Sequence, residues 1–175
     1  MMLNDGKLPI TINLDEILQS GALRFYAPDT RHDWLGFYVE LVKKPLSFFA
    51  EDAFGIQFAL INGVVAVFQT ETAELEPIGM TPSEFYQAIL NDPEGTLSWS
   101  LYKTAVQLLG KPSSEQHFAF KVELALGGQP VIENIEIINS FDHFKTMASI
   151  AKQIKDVPIG TILQLDSATK SSKIS

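Results

Sequence analysis

The dipeptide Asn62-Gly63, which lies between two apolar runs, constrains the fold of this chain more than any other feature. Asn-Gly favours a two-residue hairpin turn, because both turn positions need a positive φ. The turn predicts that residues 55–61 pair with residues 64–70, with Ile61 opposite Val64. One face of the hairpin then carries Ile56, Phe58, Leu60, Val65 and Val67, and the other carries Gln57, Ala59, Ile61, Val64, Ala66 and Phe68. Because both faces are apolar, this hairpin is predicted to lie in the middle of a sheet that is covered on two sides.

The rest of the chain alternates between strand and helix patterns, which predicts an α+β domain. The predicted strands are residues 23–26, 46–50, 75–80, 118–126, 135–139 and 161–165. The predicted helices are residues 14–19, 33–41, 81–90, 94–109 and 140–155. For residues 33–41 a strand stays open as the alternative, because aromatic and β-branched residues are common there.

Several helices carry recognisable end signals and apolar faces. Thr81 can cap the helix that follows it, Pro82 suits the first helical position, and Glu84 completes a capping box. Residues predicted to face inward are Leu97, Leu101, Ala105 and Leu108 in the fourth helix and Phe144, Met147, Ile150, Ala151 and Ile154 in the fifth. Trp34 and Trp99 are predicted to be core or half-buried residues and not binding hot spots.

Length and composition predict one domain over residues 10–166, with flexible termini at residues 1–9 and 167–175. The chain contains no cysteine, which excludes disulfides, thiolate metal sites and cysteine nucleophiles. The N-terminus lacks the pattern of a signal peptide, and no apolar run approaches the roughly 20 residues of a membrane span. We therefore expect a cytoplasmic protein with no membrane segment.

The formal net charge of -8 belongs to one segment of the chain. Residues 45–102 contain no Lys or Arg, whereas acidic and basic residues balance over the remainder. An acidic surface formed by this segment would repel nucleic acid and favour a basic protein partner, mainly by raising the rate of association. A surface that serves only solubility is the alternative. The candidate partner-binding residues are Glu51, Asp52, Glu71, Glu74, Glu76, Asp92 and Glu94.

No residues in the sequence have the spacing of a catalytic, metal or cofactor site. His32, His117 and His143 each lack a second histidine within four residues, so each is expected at the surface or half-buried. Glu51 and Asp52 are adjacent on a strand and would point to opposite faces, which does not suit an acid–base pair. We predict no catalytic residue, no metal, no cofactor and no enzymatic activity.

Four segments of the sequence match motifs that occur together, in the same order, in one group of proteins. Residues 49–58, FAEDAFGIQF, are similar to a F-A-E-D-x-F-G-x-Q-F signature, and residues 71–76, ETAELE, are similar to an ETGE(L/V)E turn. Residues 125–128, ALGG, and residues 150–160, IAKQIKDVPIG, are similar to segments of a bacterial branch. With these motifs the chain resembles the SUKH superfamily, the bacterial relatives of the yeast Smi/Knr cell-wall regulator, although residues 33–44 do not align.

The resemblance implies an α+β fold with a central, largely antiparallel sheet and helices packed around it. It also implies a protein-binding role without catalysis, in many bacterial members as an immunity protein that neutralises a cognate toxin, often a nuclease. An acidic surface suits this role, because nucleases present basic surfaces to polyanions. An intracellular scaffold of unknown partner is the alternative, followed by a small-ligand binder or an enzyme.

Overall fold

A computed structural model describes residues 13–42 and 45–158 of the 175-residue chain. In chain order its elements are α1 Leu14–Ser20, β1 Leu23–Phe25, a 3-10 helix Asp33–Tyr38, β2 Phe48–Asp52, β3 Gln57–Ile61, β4 Val64–Gln69, β5 Glu74–Pro77, α2 Pro82–Asn91, α3 Pro93–Leu97, α4 Trp99–Leu109, β6 Gln116–Phe120, 3-10 helices Leu124–Leu126 and Ile132–Asn134, β7 Ile135–Asn139 and α5 Ser140–Ile154. The strand expected at residues 161–165 and the termini expected to be flexible lie outside the described residues.

Five strands form an antiparallel sheet in the order β1-β2-β3-β4-β5. The turn at Asn62-Gly63 sets Ile61 opposite Val64 and Phe58 opposite Val67. Both turn residues have positive φ, 50° and 81°, as this kind of turn requires. The hairpin prediction is therefore confirmed in both position and register.

Buried side chains pack against both faces of the β3–β4 hairpin. On one face Phe58 meets Phe85 of α2, with ring centroids 4.8 Å apart. On the other face Phe68 belongs to a cluster with Trp34 and with Phe144 of α5. The predicted architecture, an α+β fold whose central antiparallel sheet has helices packed around it, is confirmed.

Strands β6 and β7 form a second, two-stranded antiparallel sheet. Next to β2, the carbonyl oxygen of Ala53 accepts a hydrogen bond from the amide of Phe118 at 2.8 Å. The guanidinium of Arg24 on β1 donates to the carbonyl oxygens of Ser113 and Gln116 at 3.1 and 3.0 Å. These bonds hold β6 against the β1–β2 end of the main sheet.

The predicted helix over residues 94–109 is divided into α3 and α4 at Ser98. Ser98 takes the left-handed conformation, with φ 48° and ψ 48°. The break changes which side of the second helix faces the core, so that Trp99 and Tyr102 are buried and Leu108, predicted to face inward, is exposed. The predicted core positions of Trp34 and Trp99 are confirmed.

Two further segments differ from the predictions. Residues Asp33–Tyr38 form a 3-10 helix, shorter than the predicted helix, and the strand alternative is wrong. Strand β6 ends at Phe120 and not at residue 126. The side chain of Asn134 binds both the amide and the carbonyl of Val122, at 2.9 Å each, and these two bonds hold Val122 outside the β6–β7 ladder.

Within the part of the chain that the structure describes, no helix has the length and apolar character needed to cross a membrane. The single domain over residues 10–166 stays a prediction, because both of its ends fall outside that part.

Candidate functional site

Glu51 and Asp52, which were expected at the surface, are buried on β2. Glu51 Oε1 forms an ion pair with Arg24 Nη2 at 2.9 Å, and Glu51 Oε2 accepts from Gln57 Nε2 at 3.0 Å. Gln57 Oε1 accepts from the hydroxyl of Tyr26 at 2.8 Å. A buried carboxylate needs such partners, since burying an unpaired charge is costly. The surface position predicted for these two residues is wrong, and their roles lie inside the fold.

Asp52 holds the turn that connects β2 and β3. Its Oδ1 accepts from the backbone amides of Phe54 and Ile56, both at 2.9 Å. Burial raises the pKa of the Asp52 carboxyl to about 7, although the two amides favour the charged form. The same turn contains Gly55, whose φ of 82° favours a residue without a side chain.

The acidic turn, residues 71–76, brings three of the predicted partner-binding residues together. Glu74 and Glu76 are exposed. Glu71 is half-buried, and its Oε2 accepts from the amide of Ala125 at 2.9 Å. Burial raises the pKa of the Glu71 carboxyl. Two of the three carboxylates are therefore open to a partner, and the third connects the turn to the loop after β6.

Asp92 and Glu94 lie at the junction between α2 and α3, and both are exposed. Asp92 Oδ1 accepts from the amide of Gly95 at 2.8 Å, which caps α3. Glu94 Oε2 accepts from the amide of Ser100 at 2.9 Å, in the first turn of α4. Carboxylates stabilise helix N-termini in this way. Partner binding by these two residues stays a prediction.

A largely buried series of hydrogen bonds, here called the histidine chain, links the β6 region to α5. Ser140 Oγ lies 3.0 Å from His117 Nδ1, His117 Nε2 lies 2.5 Å from His143 Nδ1, and His143 Nε2 lies 3.0 Å from Glu123 Oε1. His117 and His143 are both buried, so the expectation of surface or half-buried histidines is wrong for them. It holds for His32, which is half-buried.

The acceptor at one end of the histidine chain fixes the donor beside it, and neutral rings then give one consistent direction to the other hydrogen bonds. A Glu123 carboxylate can only accept, so His143 Nε2 donates to it. When the His143 ring is neutral, its Nδ1 accepts. His117 Nε2 then donates to His143, and His117 Nδ1 accepts from the hydroxyl of Ser140. Burial, with the nearby His143, lowers the pKa of His117 well below its usual value of 6.5. In this arrangement every nitrogen of the two rings has a hydrogen-bond partner.

These groups do not form a metal site within residues 13–42 and 45–158, where no three His, Asp or Glu side chains are placed to hold an ion. The nitrogens of His117 and His143 are engaged with each other and with Ser140 and Glu123. A cavity of about 330 Å³ lies beside the 3-10 helix Asp33–Tyr38 and is lined in part by His32. The lining includes neither the histidine chain nor the two carboxylates of β2.

Sequence spacing gave no indication of the histidine chain. His117 and His143 are 26 residues apart, and His143 and Glu123 are 20 residues apart. The one local signal is that Glu123 stands in the apolar context Val-Glu-Leu-Ala-Leu, where a buried carboxylate needs a distant partner. That partner is identified only when β6 and α5 are packed together.

The histidine chain leads us to expect a loss of stability in mild acid. Folded His117 stays neutral, whereas an unfolded histidine binds a proton near pH 6.5, so the unfolded state gains protons and stability falls as the pH drops below that value. Asp52 contributes the opposite slope, because its folded pKa of about 7 is above the ordinary 3.8. The measurement is therefore made in the Asp52→Asn background.

In that background, we expect urea denaturation to show an unfolding free energy that decreases from about pH 7 to about pH 5, by up to about 1.4 kcal/mol per pH unit. Adding His117→Gln lowers the overall stability and flattens this slope. The same slope with and without His117 would contradict the assignment.

Comparison with known proteins gives a family-model match over part of the chain. A family model described as "T6SS immunity protein Tdi1, C-terminal" matches residues 84–151, less than half of the chain. This segment extends from α2 into α5 and contains the histidine chain. No curated protein matches. The crystal structure of Atu4351 from Agrobacterium tumefaciens aligns with 74% of this chain and 67% of its own, at 16% identity and a TM-score of 0.49.

Proposed function

We propose that this chain is a non-catalytic protein-binding domain of the SUKH type that acts as an immunity protein and neutralises a cognate toxin of nuclease type. The observation that carries the proposal is the match of residues 84–151 to an immunity-protein family. The buried carboxylates support the absence of catalysis, because Glu51 and Asp52 are engaged by Arg24 and by backbone amides.

The charge distribution supports a basic partner. The net charge of -8 arises from residues 45–102, and Glu74, Glu76, Asp92 and Glu94 are exposed within that segment. A nuclease carries basic residues that bind phosphates, so the acidic surface of an immunity protein can cover the same residues. Complementary charge acts mainly on the rate of association, which is an advantage when a toxin must be captured before it acts.

The proposal is tested by capturing the partner from the native host with the tagged chain and expressing that partner alone. We expect a basic protein that arrests growth by itself and is harmless when it is co-expressed with this chain. A stoichiometric partner with no effect on growth would contradict the immunity role.

The acidic surface is tested with the variant Glu74→Lys/Glu76→Lys, which leaves the structural carboxylate of Glu71 in place. We expect its association rate with the captured partner to fall by at least about tenfold at low salt, with a smaller difference at high salt. The matched control is Glu115→Lys/Glu136→Lys, which changes the net charge equally at two other exposed positions. An equal loss in both variants would show that net charge, and not the acidic turn, is responsible.

A further inference from the structure

The loop between β6 and β7 exposes several apolar side chains and buries the carboxylate of Glu123. Its exposed apolar residues, each 36% to 51% accessible, are Val122, Leu124, Leu126 and Val131. Glu123, between two of them, is only 9% accessible and binds His143. A loop that served only to connect two strands would be expected to show the reverse, because apolar burial is favourable and carboxylate burial is costly.

The exposed side chains stand on an ordered backbone. The side-chain Nδ2 of Asn134 donates to the carbonyl oxygens of Val122 and Gln129, at 2.9 and 3.0 Å, while its Oδ1 accepts from the backbone amide of Val122. The amide of Gly128 donates to the carbonyl of Glu123 at 2.9 Å. The loop therefore presents its leucines in one arrangement, and a partner would pay little entropy to fix them.

The loop also lies directly against the acidic turn. Glu71 Oε2 accepts from the amide of Ala125, which stands between Leu124 and Leu126. Burial, with the nearby Glu123 carboxyl group, raises the pKa of Glu71. Lys121, the one basic residue of the loop, donates its Nζ to the backbone carbonyl of Glu133 at 2.8 Å. The exposed leucines of the loop thus flank the point at which the loop is bonded to the acidic turn.

We propose that residues 121–131 and the acidic turn together form the docking surface for a basic protein, with Leu124 and Leu126 as its apolar contacts and Glu74 facing basic side chains. This inference rests on the proposed function for the existence of a protein partner. A second copy of this chain fits less well, because it would bring another acidic turn to the contact. An anionic membrane would repel the same carboxylates.

The location is tested by placing the photo-crosslinker p-benzoylphenylalanine at position 124 and, as the control, at position 60 in the β3–β4 hairpin. Leu60 is 45% exposed, similar to Leu124, so both probes face solvent. In irradiated cells of the native host, we expect position 124 to crosslink to one basic protein and position 60 to give no such product. Self-crosslinking, equal products at both positions, or no product at position 124 would overturn the proposal.

The contribution of the two leucines to affinity is measured with the purified partner, which is the protein that crosslinks to position 124. We expect Leu124→Ser/Leu126→Ser to raise its Kd by at least about tenfold, as for apolar contacts at the centre of an interface, and Leu60→Ser to leave the Kd within about twofold. Matching thermal denaturation curves would show that the variants are folded. An unchanged Kd for the double variant would overturn the proposal.

The outcomes separate this surface from the immunity role. A crosslinked protein that does not inhibit growth would support the docking surface and contradict the proposal that the partner is a toxin. A growth-inhibiting partner that is captured by the chain but does not crosslink to position 124 would support the immunity role and contradict the proposed docking surface.

Discussion

Replacing Asp52 by alanine is expected to lower the free energy of unfolding by several kcal/mol. The carboxylate accepts from the amides of Phe54 and Ile56, and alanine leaves both donors without a partner. Each unsatisfied buried donor costs about 1–3 kcal/mol. Urea denaturation monitored by tryptophan fluorescence measures the loss, since Trp34 and Trp99 are both buried.

The matched variant is Asp52→Asn, because the asparagine side-chain oxygen can still accept both hydrogen bonds. Asn also carries no charge, so it avoids the cost of ionising a buried group. For the wild type, the folded carboxyl keeps its proton up to about pH 7, whereas the unfolded one loses it near the ordinary 3.8. The contribution of the Asp52 carboxyl to wild-type stability therefore falls as the pH rises from about 4 to about 7.

We consequently expect Asp52→Asn to gain stability relative to the wild type as the pH rises from about 4 to about 8, by a few kcal/mol at the upper end. Asp52→Ala stays less stable than Asp52→Asn throughout. A stability difference between Asn and wild type that does not change with pH would contradict the raised pKa. An alanine variant as stable as the Asn variant would contradict the role of the two hydrogen bonds.

Replacing Gly55 by alanine is expected to be the second strongly destabilising change. A Cβ at this position would lie 2.7 Å from Cε1 and 2.9 Å from Nδ1 of His117. The ring has no freedom to move away, because Ser140 and His143 hold its two nitrogens. The backbone adds its own strain, since Gly55 has a φ of 82°.

The hairpin provides a matched control at Gly63, whose φ is 81° but whose Cβ would meet nothing within 4 Å. Gly63→Ala is expected to lose about 1–2 kcal/mol from backbone strain alone. Gly55→Ala should lose that amount and about 1–3 kcal/mol more from overpacking against His117. If Gly55→Ala and Gly63→Ala lose equal unfolding free energy in thermal or urea denaturation, the ring of His117 can move to make room for the Cβ.

The elements that the sequence predicted correctly are those specified by neighbouring residues. The turn at Asn62-Gly63 fixed the register of β3 and β4, since few other sequences accept two positive φ angles in succession. The capping box of Thr81 and Glu84 set the start of α2, and both of its hydrogen bonds are present. The bounds predicted for β7 agree with Ile135–Asn139.

The predictions that failed concern the burial of side chains, which depends on partners distant in the chain or on a break within a predicted helix. Glu51 was predicted to be a surface carboxylate, but it is buried and bound by the side chains of Arg24 and Gln57. Leu108 follows the apolar spacing of a continuous helix, yet the left-handed residue Ser98 turns it outward. The apolar spacing showed neither outcome, because the first depends on how separate elements pack and the second on the backbone conformation of one residue.

By itself, the sequence determined the two-sided central hairpin, the helix starts and the confinement of the net charge to residues 45–102, because turn geometry, capping and charge are properties of adjacent residues. Only the tertiary structure decided which carboxylates are buried, that His117, His143 and Glu123 form one chain, and that the loop after β6 exposes leucines beside the acidic turn. Burial and hydrogen bonding between residues 20 or more positions apart are set by packing, which a linear pattern does not encode.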